Sequence, residues 1–414
     1  MIQREREGAA REWGAHWPTV LVSAIGMSYT AIYVYASGPL IQPLEQEYGW
    51  SRTMISSGIP VATTIAALLG PIMGWVIDRF GSRRIAIPGI ILYWIGFATL
   101  SLTSPSIWSW WLLWGLVGFC GLGIKPALWT TAVASLFSRS RGLALAVTLS
   151  GTGLGSFFTP LLTTWLIEAY GWRMAFIGLS LVFGGIGFPL IFFFFHDALY
   201  KQQAEQVVPI PARHGMAMRE SLLSCQFLSL TLAALLFSLL AISTVANLIP
   251  ILSSEGIGRN EAAGIASAVG ITSIIGRLAT GWLLDRFDAR LVTTVAMALP
   301  VAAAGLLLVW PGEAHAALIA ALVMGLSLGA EVDAIAYLTG RYFGLKHYGL
   351  LFGTMISATA IATGFGPMLA SMVYDNTGSY RLQLIIVIPL SLIAALLILT
   401  LGRPKIQAAA PTPN

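Results

Sequence analysis

Runs of roughly twenty apolar residues recur along the whole chain, parted by short stretches where charge and proline collect. Each run is long enough to cross a hydrocarbon core of about 30 Å as a helix. Hydropathy and flanking charges predict six spans at 17–41, 53–77, 85–104, 108–137, 142–167 and 173–195. Six more follow at 221–250, 260–284, 290–310, 314–340, 348–374 and 381–401. The longest polar connection, "HDALYKQQAEQVVPIPARHGMAMRE", holds two prolines and reads as a linker over 196–220. The pattern therefore predicts an all-α polytopic membrane protein: a six-helix bundle over 1–195, the linker, and a second bundle over 221–414.

Composition agrees. Of 414 residues, 57% are hydrophobic and 10% charged, whereas soluble domains carry about 25% charge. The N-terminus "MIQREREGAAREWGAHW" is too polar for a cleaved signal peptide, so the first apolar run is expected to remain as span one. Cys120 and Cys225 fall in or beside apolar runs without metal or disulfide spacing, and read as small buried residues. All five histidines lie in predicted tails or loops or, for His315, at the very start of a span, which argues against an embedded metal site.

Charge sets the orientation. With the N-terminus cytoplasmic, 17 of the 23 lysines and arginines fall inside and four outside, and Lys125 and Arg277 lie within spans. That asymmetry satisfies the positive-inside rule and predicts both termini in the cytoplasm of a cell (inner) membrane protein. The net charge of +5 is then topological, with contact to membrane lipid and no nucleic-acid partner expected. Trp108, Trp110 and Trp111 suit an outer aromatic belt.

The two halves repeat. "GWVIDRFGSRR" at 74–84 and "GWLLDRFDARL" at 281–291 are 207 residues apart, half the chain. The same offset joins Pro43 to Pro250, Arg52 to Arg259, Gly142 to Gly349, Pro160 to Pro367 and Gly171 to Gly378. One gapless register over six spans predicts two copies of one unit in a parallel repeat. Asp78 ends span two and can meet the N-terminal dipole of a neighbouring helix, while Arg79, Arg83 and Arg84 face the inner leaflet. Loss of such inside contacts would favour an inward-open state, so Asp78, Arg79, Asp285 and Arg286 are gating candidates.

With its 6+6 repeat and "GWVIDRFGSRR" after span two, the chain resembles the major facilitator superfamily. "EYGWSR", "FSRSRGLALAVTLSGTGLG" and an arginine in span eight are similar to its monocarboxylate transporter and oxalate/formate exchanger branch. The resemblance implies a cavity lined by spans one, four, seven and ten, and a span-eight arginine that contacts a substrate carboxylate. It is incomplete. Animal monocarboxylate transporters carry an aspartate one turn before that arginine, where this chain has Ser273. Their span-one lysine and the exchanger's span-eleven cation also lack counterparts.

Four ionisable residues fall within spans and away from their ends: Lys125, Arg277, Glu331 and Asp333. A charge at mid-bilayer costs about 2.5–3.5 kcal/mol on insertion scales, so each is a functional candidate. All lie a few residues inward of their span centres, in one predicted layer. The repeat pairs Lys125 with Val332, between the two carboxylates, which stand about 200° apart around a helix. One should face the cavity and the other a neighbouring helix. Arg277 has a planar fork that matches a carboxylate and is the leading anion ligand; permanent pairing with Glu331 or Asp333 is its structural alternative. Lys125, Tyr33, Asn247 and Tyr337 are further substrate-contact candidates, and Asp333 and Glu331 the proton-coupling ones.

The expected function is secondary transport of a small organic monoanion, proton-coupled, by alternating access. Anion exchange without protons and export of drugs or other solutes are the transport alternatives. No span carries a catalytic motif, so an enzyme is not expected; nor is a cofactor. A monomer is expected, with the anion and the proton as partners.

Overall fold

The computed structural model describes residues 2–137, 140–196, 218–344 and 347–402. The side chains of residues 2–9 and of Asp78 lie outside the described set, as does most of the predicted linker, residues 197–217. The protein is all-α and multi-pass, with twelve helices long and apolar enough to cross a membrane. Spans one to six are Ala10–Tyr48, Arg52–Ile77, Ser82–Leu102, Ile107–Leu136, Arg141–Tyr170 and Trp172–Phe194. Spans seven to twelve are Cys225–Ala246, Arg259–Leu284, Ala289–Val309, Ala314–Phe343, Tyr348–Thr377 and Arg381–Leu399. The largest departure from the hydropathy reading is at the start: the first helix runs from Ile2 to Tyr48. Alanine, arginine and glutamate are strong helix formers, so the polar leader extends the span.

Buried apolar side chains collect into one large cluster per half, from Val22 to Phe195 and from Phe227 to Leu401. The 207-residue register survives in three dimensions. Gly49 and Gly256 both take positive φ, at 67° and 91°, and so do Gly171 and Gly378, at 82° and 71°. Arg83 donates to the carbonyls of Phe192, at 2.7 Å, and Phe195 at the end of span six. Its counterpart Arg290 donates to the Leu401 carbonyl beyond span twelve at 3.0 Å. A helix end leaves carbonyls without partners, and in each half a motif arginine satisfies them.

The halves touch backbone to backbone. A Cβ on Gly270 of span eight would lie 2.5 Å from the Gly153 carbonyl oxygen of span five. One on Gly38 of span one would lie 2.6 Å from the Ala246 carbonyl oxygen of span seven. Small residues permit this approach in a medium that supplies no hydrophobic force between helices.

Candidate functional site

Span four is not a continuous helix. A 3₁₀ turn covers Gly121–Ile124, and the α-helix restarts at Pro126. Proline disfavours helical backbone in the residue before it, and Lys125 accordingly has ψ of 149°. The break leaves carbonyls unpaired; the Trp129 indole donates to that of Ile124 at 3.0 Å. Gly123 lies against Gly89 of span three, where a Cβ would come within 2.5 Å of the Gly89 Cα. Lys125 is thus fixed at a supported break, half-buried, with no ion-pair or hydrogen-bond partner for its ammonium among the described residues.

Arg277 has a partner. Spans eight and ten interlock through Gly276, Gly325 and Gly329; a Cβ on Gly329 would lie 2.1 Å from the Ser273 carbonyl oxygen and 2.7 Å from the Arg277 nitrogen. At this seam the Arg277 guanidinium, 8% exposed, meets Asp333 Oδ1 at 3.2 Å, with the Asp333 side chain 24% exposed. Glu331 points the other way, buried, and accepts a hydrogen bond from Ser238 of span seven. The two carboxyls therefore diverge as their spacing requires: Asp333 is the partner of Arg277, and Glu331 packs against a neighbouring span. Ser273 donates within its own helix to the Gly270 carbonyl at 2.8 Å.

The remaining candidates scatter. Tyr33 is half-buried, edge-on to Trp114 with ring centroids 6.5 Å apart. Tyr337 is exposed, one turn beyond Asp333. Asn247 is fully buried, and both its amide atoms are occupied. Its nitrogen donates to the carbonyls of Ser243, at 2.9 Å, and Pro367, at 3.2 Å; its oxygen accepts from Ser371 at 3.4 Å. It stands at the joint between span seven and the short helix Leu248–Ser254. At the predicted inner end Asp285 is exposed, Arg286 lies over the Trp282 ring at 4.1 Å, and Arg79 lies over Trp75 at 5.2 Å. The side chain of Asp78, the fourth gating candidate, is outside the described residues.

Ser238 is a member of this site that sequence reasoning missed, because a serine in an apolar run carries no signal of its own. Two other features had one. "GIKPALW" places proline directly after the span-four lysine, and "GLSLG" at 325–329 is a small-xxx-small pair at the span-ten seam.

Comparison with known proteins agrees with this architecture. The family model described as Major Facilitator Superfamily matches residues 21–330 and 230–414. Monocarboxylate transporter 13 of Bos taurus is 24% identical over 317 residues, covering 76% of this chain and 72% of its own. The gallate transporter of Pseudomonas putida is 24% identical over 408 residues, covering 86% and 88%. The solved D-xylose–proton symporter superposes with a TM-score of 0.75 over 94% of this chain and 98% of its own, at 13% identity, a likeness of fold alone. With twelve spans, a repeat that holds in both sequence and backbone, and a family match across nearly its whole length, the chain belongs to the major facilitator superfamily, as a transporter resembling the monocarboxylate branch.

Proposed function

We propose that this protein carries a small organic monoanion across the membrane by alternating access, coupled to a proton, with the two six-helix halves as the moving bodies. One observation carries the reading: of the two cations deep within spans, away from the span ends, Arg277 is engaged by Asp333, while Lys125 has no counter-ion among the described residues. An unpaired cation within a membrane is expensive unless something negative visits it. The two cations belong to opposite halves, so an anion held by both would close one half on the other. Monocarboxylate and gallate are what two relatives are named for, and both are carboxylates.

Within this reading Lys125 is the first contact for the anion and Arg277 the second, released in part as Asp333 yields its place. Tyr33 and Tyr337 offer phenol groups to the same ligand, whereas Asn247 has no free polar atom. Glu331 suits a proton carrier because its partner is a hydroxyl, which can accept as well as donate. Asp78 and Asp285, with Arg79 and Arg286, act at the cytoplasmic gate, and both termini are cytoplasmic in a cell (inner) membrane. One chain suffices for the whole cycle.

Uptake into proteoliposomes tests the coupling. An inward proton gradient should drive concentrative uptake of a labelled monocarboxylate, and Lys125→Gln should raise KM by about tenfold or more, the loss of one charged contact. Indifference to the gradient with counterflow intact would remove the proton from the mechanism. That outcome is anion exchange, a reading the Arg277–Asp333 pair favours, since a carboxylate neutralised by arginine needs no proton.

A further inference from the structure

The predicted outer end of the molecule holds two contacts between the halves that the 207-residue register relates to each other. Asp375, at the end of span eleven, accepts hydrogen bonds from two backbone N–H groups in the first turn of span two. These are Arg52 to Oδ1 at 3.1 Å and Thr53 to Oδ2 at 2.8 Å. Glu168, at the end of span five, accepts from the side-chain nitrogen of Asn260 in the first turn of span eight at 2.9 Å. The sequence difference between Glu168 and Asp375 is 375 − 168 = 207, and that between Thr53 and Asn260 is 260 − 53 = 207.

Each acid thus reaches from one half to the start of a span in the other. The first turn of a helix offers N–H groups without partners and the positive end of its dipole, so a carboxylate is the matched group there. The neighbouring arginines reinforce both contacts. The Arg52 guanidinium lies 3.6 Å from the centroid of the Tyr374 ring and donates to the Tyr380 hydroxyl at 3.3 Å, both across the interface. Arg259 donates to Gln42 of span one at 2.5 Å, again across it. Beneath Asp375 the hydroxyls of Ser56 and Ser371 meet at 2.7 Å, and Gly364 packs on Thr63. Neither acid lies in a transmembrane charge layer or in the repeated motif after spans two and eight.

We propose that Asp375 and Glu168 are a symmetric pair of latches that hold the outer end of the transporter shut. Each is a positioning residue without contact to the substrate: Asp375 acts by capping the start of span two, and Glu168 by accepting from the Asn260 side chain in the first turn of span eight. Opening outward requires both carboxylates to leave their helix starts for water. The proposal rests on the alternating-access reading above, and one experiment separates the two.

In a chain with Cys120 and Cys225 replaced by alanine, Ser56→Cys and Ser371→Cys report closure of the outer end by oxidant-driven cross-linking. Their side-chain oxygens are close enough for sulfurs to bridge with small adjustment. Adding Asp375→Ala should slow the cross-link by about three- to tenfold, the weight of one charged cap. Asp375→Asn keeps an acceptor oxygen and should recover part of the rate; Glu168→Ala should slow it independently and further in combination. Asn260→Ala, at an exposed position, carries the same test if Asp375→Ala fails to fold. Rates within twofold of the parent in Asp375→Ala, Glu168→Ala and the double variant overturn the latch alone. Undiminished uptake by fully cross-linked protein overturns alternating access, and with it any gate at this end.

Discussion

Arg277 and Asp333 meet through a single guanidinium nitrogen and a single carboxylate oxygen, and the acid keeps about a quarter of its side chain exposed. Removing one partner of such a pair leaves the other charge uncompensated, which is worse than removing both. Asp333→Asn should therefore lower unfolding free energy by about 3 kcal/mol, the low end for a buried pair because the acid is partly exposed. The double variant Arg277→Gln/Asp333→Asn should recover most of that loss. Thermal unfolding in detergent checks it: a double variant no more stable than Asp333→Asn would mean the pair is not a unit. Arg277→Lys keeps the charge and loses the fork, so anion-induced thermal stabilisation should shrink if the guanidinium grips the ligand.

Span nine opens with Asp288 as its cap, accepting from the Arg290 backbone N–H at 2.9 Å and from its guanidinium at 3.0 Å. The side-chain hydrogen bond from Arg290 holds this exposed carboxyl below its ordinary value, against the opposing effect of partial burial. A depressed carboxyl stabilises the fold above its unfolded value and loses that contribution as pH falls through the folded one. Asp288→Ala should thus cost about 1 kcal/mol at neutral pH, as a lost cap does. That difference should begin to shrink as pH falls to about 4, the ordinary aspartate value, and vanish only once pH lies below the depressed folded one, where the carboxyl in the reference protein is itself neutral. A gap that persists unchanged at acid pH would mean the cap does not act through its charge. The span-eight and span-ten seam makes a separate demand. Gly329→Ala would drive a Cβ into the Ser273 carbonyl oxygen and should destabilise by about 1–3 kcal/mol, as overpacking does. Gly353→Ala in span eleven meets nothing within 4 Å and should be neutral or stabilising, alanine being the better helix former. Equal effects at the two positions would refute the seam. Elements of this kind differ in how far they can be read beforehand. Span limits were legible because lipid imposes one solvent on every residue of a run, and limits at 53–77 or 260–284 lie within a residue of those found. The choice of Asp333 over Glu331 for Arg277 was not legible, since helical spacing says only that the two diverge. The break at Lys125 was written in its following proline, yet an unbroken apolar run hides it from any count of hydropathy.

At the scale of the molecule, two copies of one unit each bring a capping arginine, a glycine-bearing turn and an acid at the end of the fifth helix. The register was visible in the sequence from "DRF" to "DRF". What it could not disclose is which copies would meet across the interface, because that depends on how one half is docked on the other. Glu168 and Asp375 carried no signal as isolated acids near span ends; only the facing helix starts give them a role. The spans also have a parity. Six per half is an even number, so the start of span one, the end of span six, the start of span seven and the end of span twelve all lie on the same side of the membrane. The order of the halves is then a matter of connectivity and not of topology. A circularly permuted chain, 218–402 followed by a polar tether and 10–196, should insert with every span in its present direction and retain uptake, whereas the same operation on halves of five or seven spans would invert one of them.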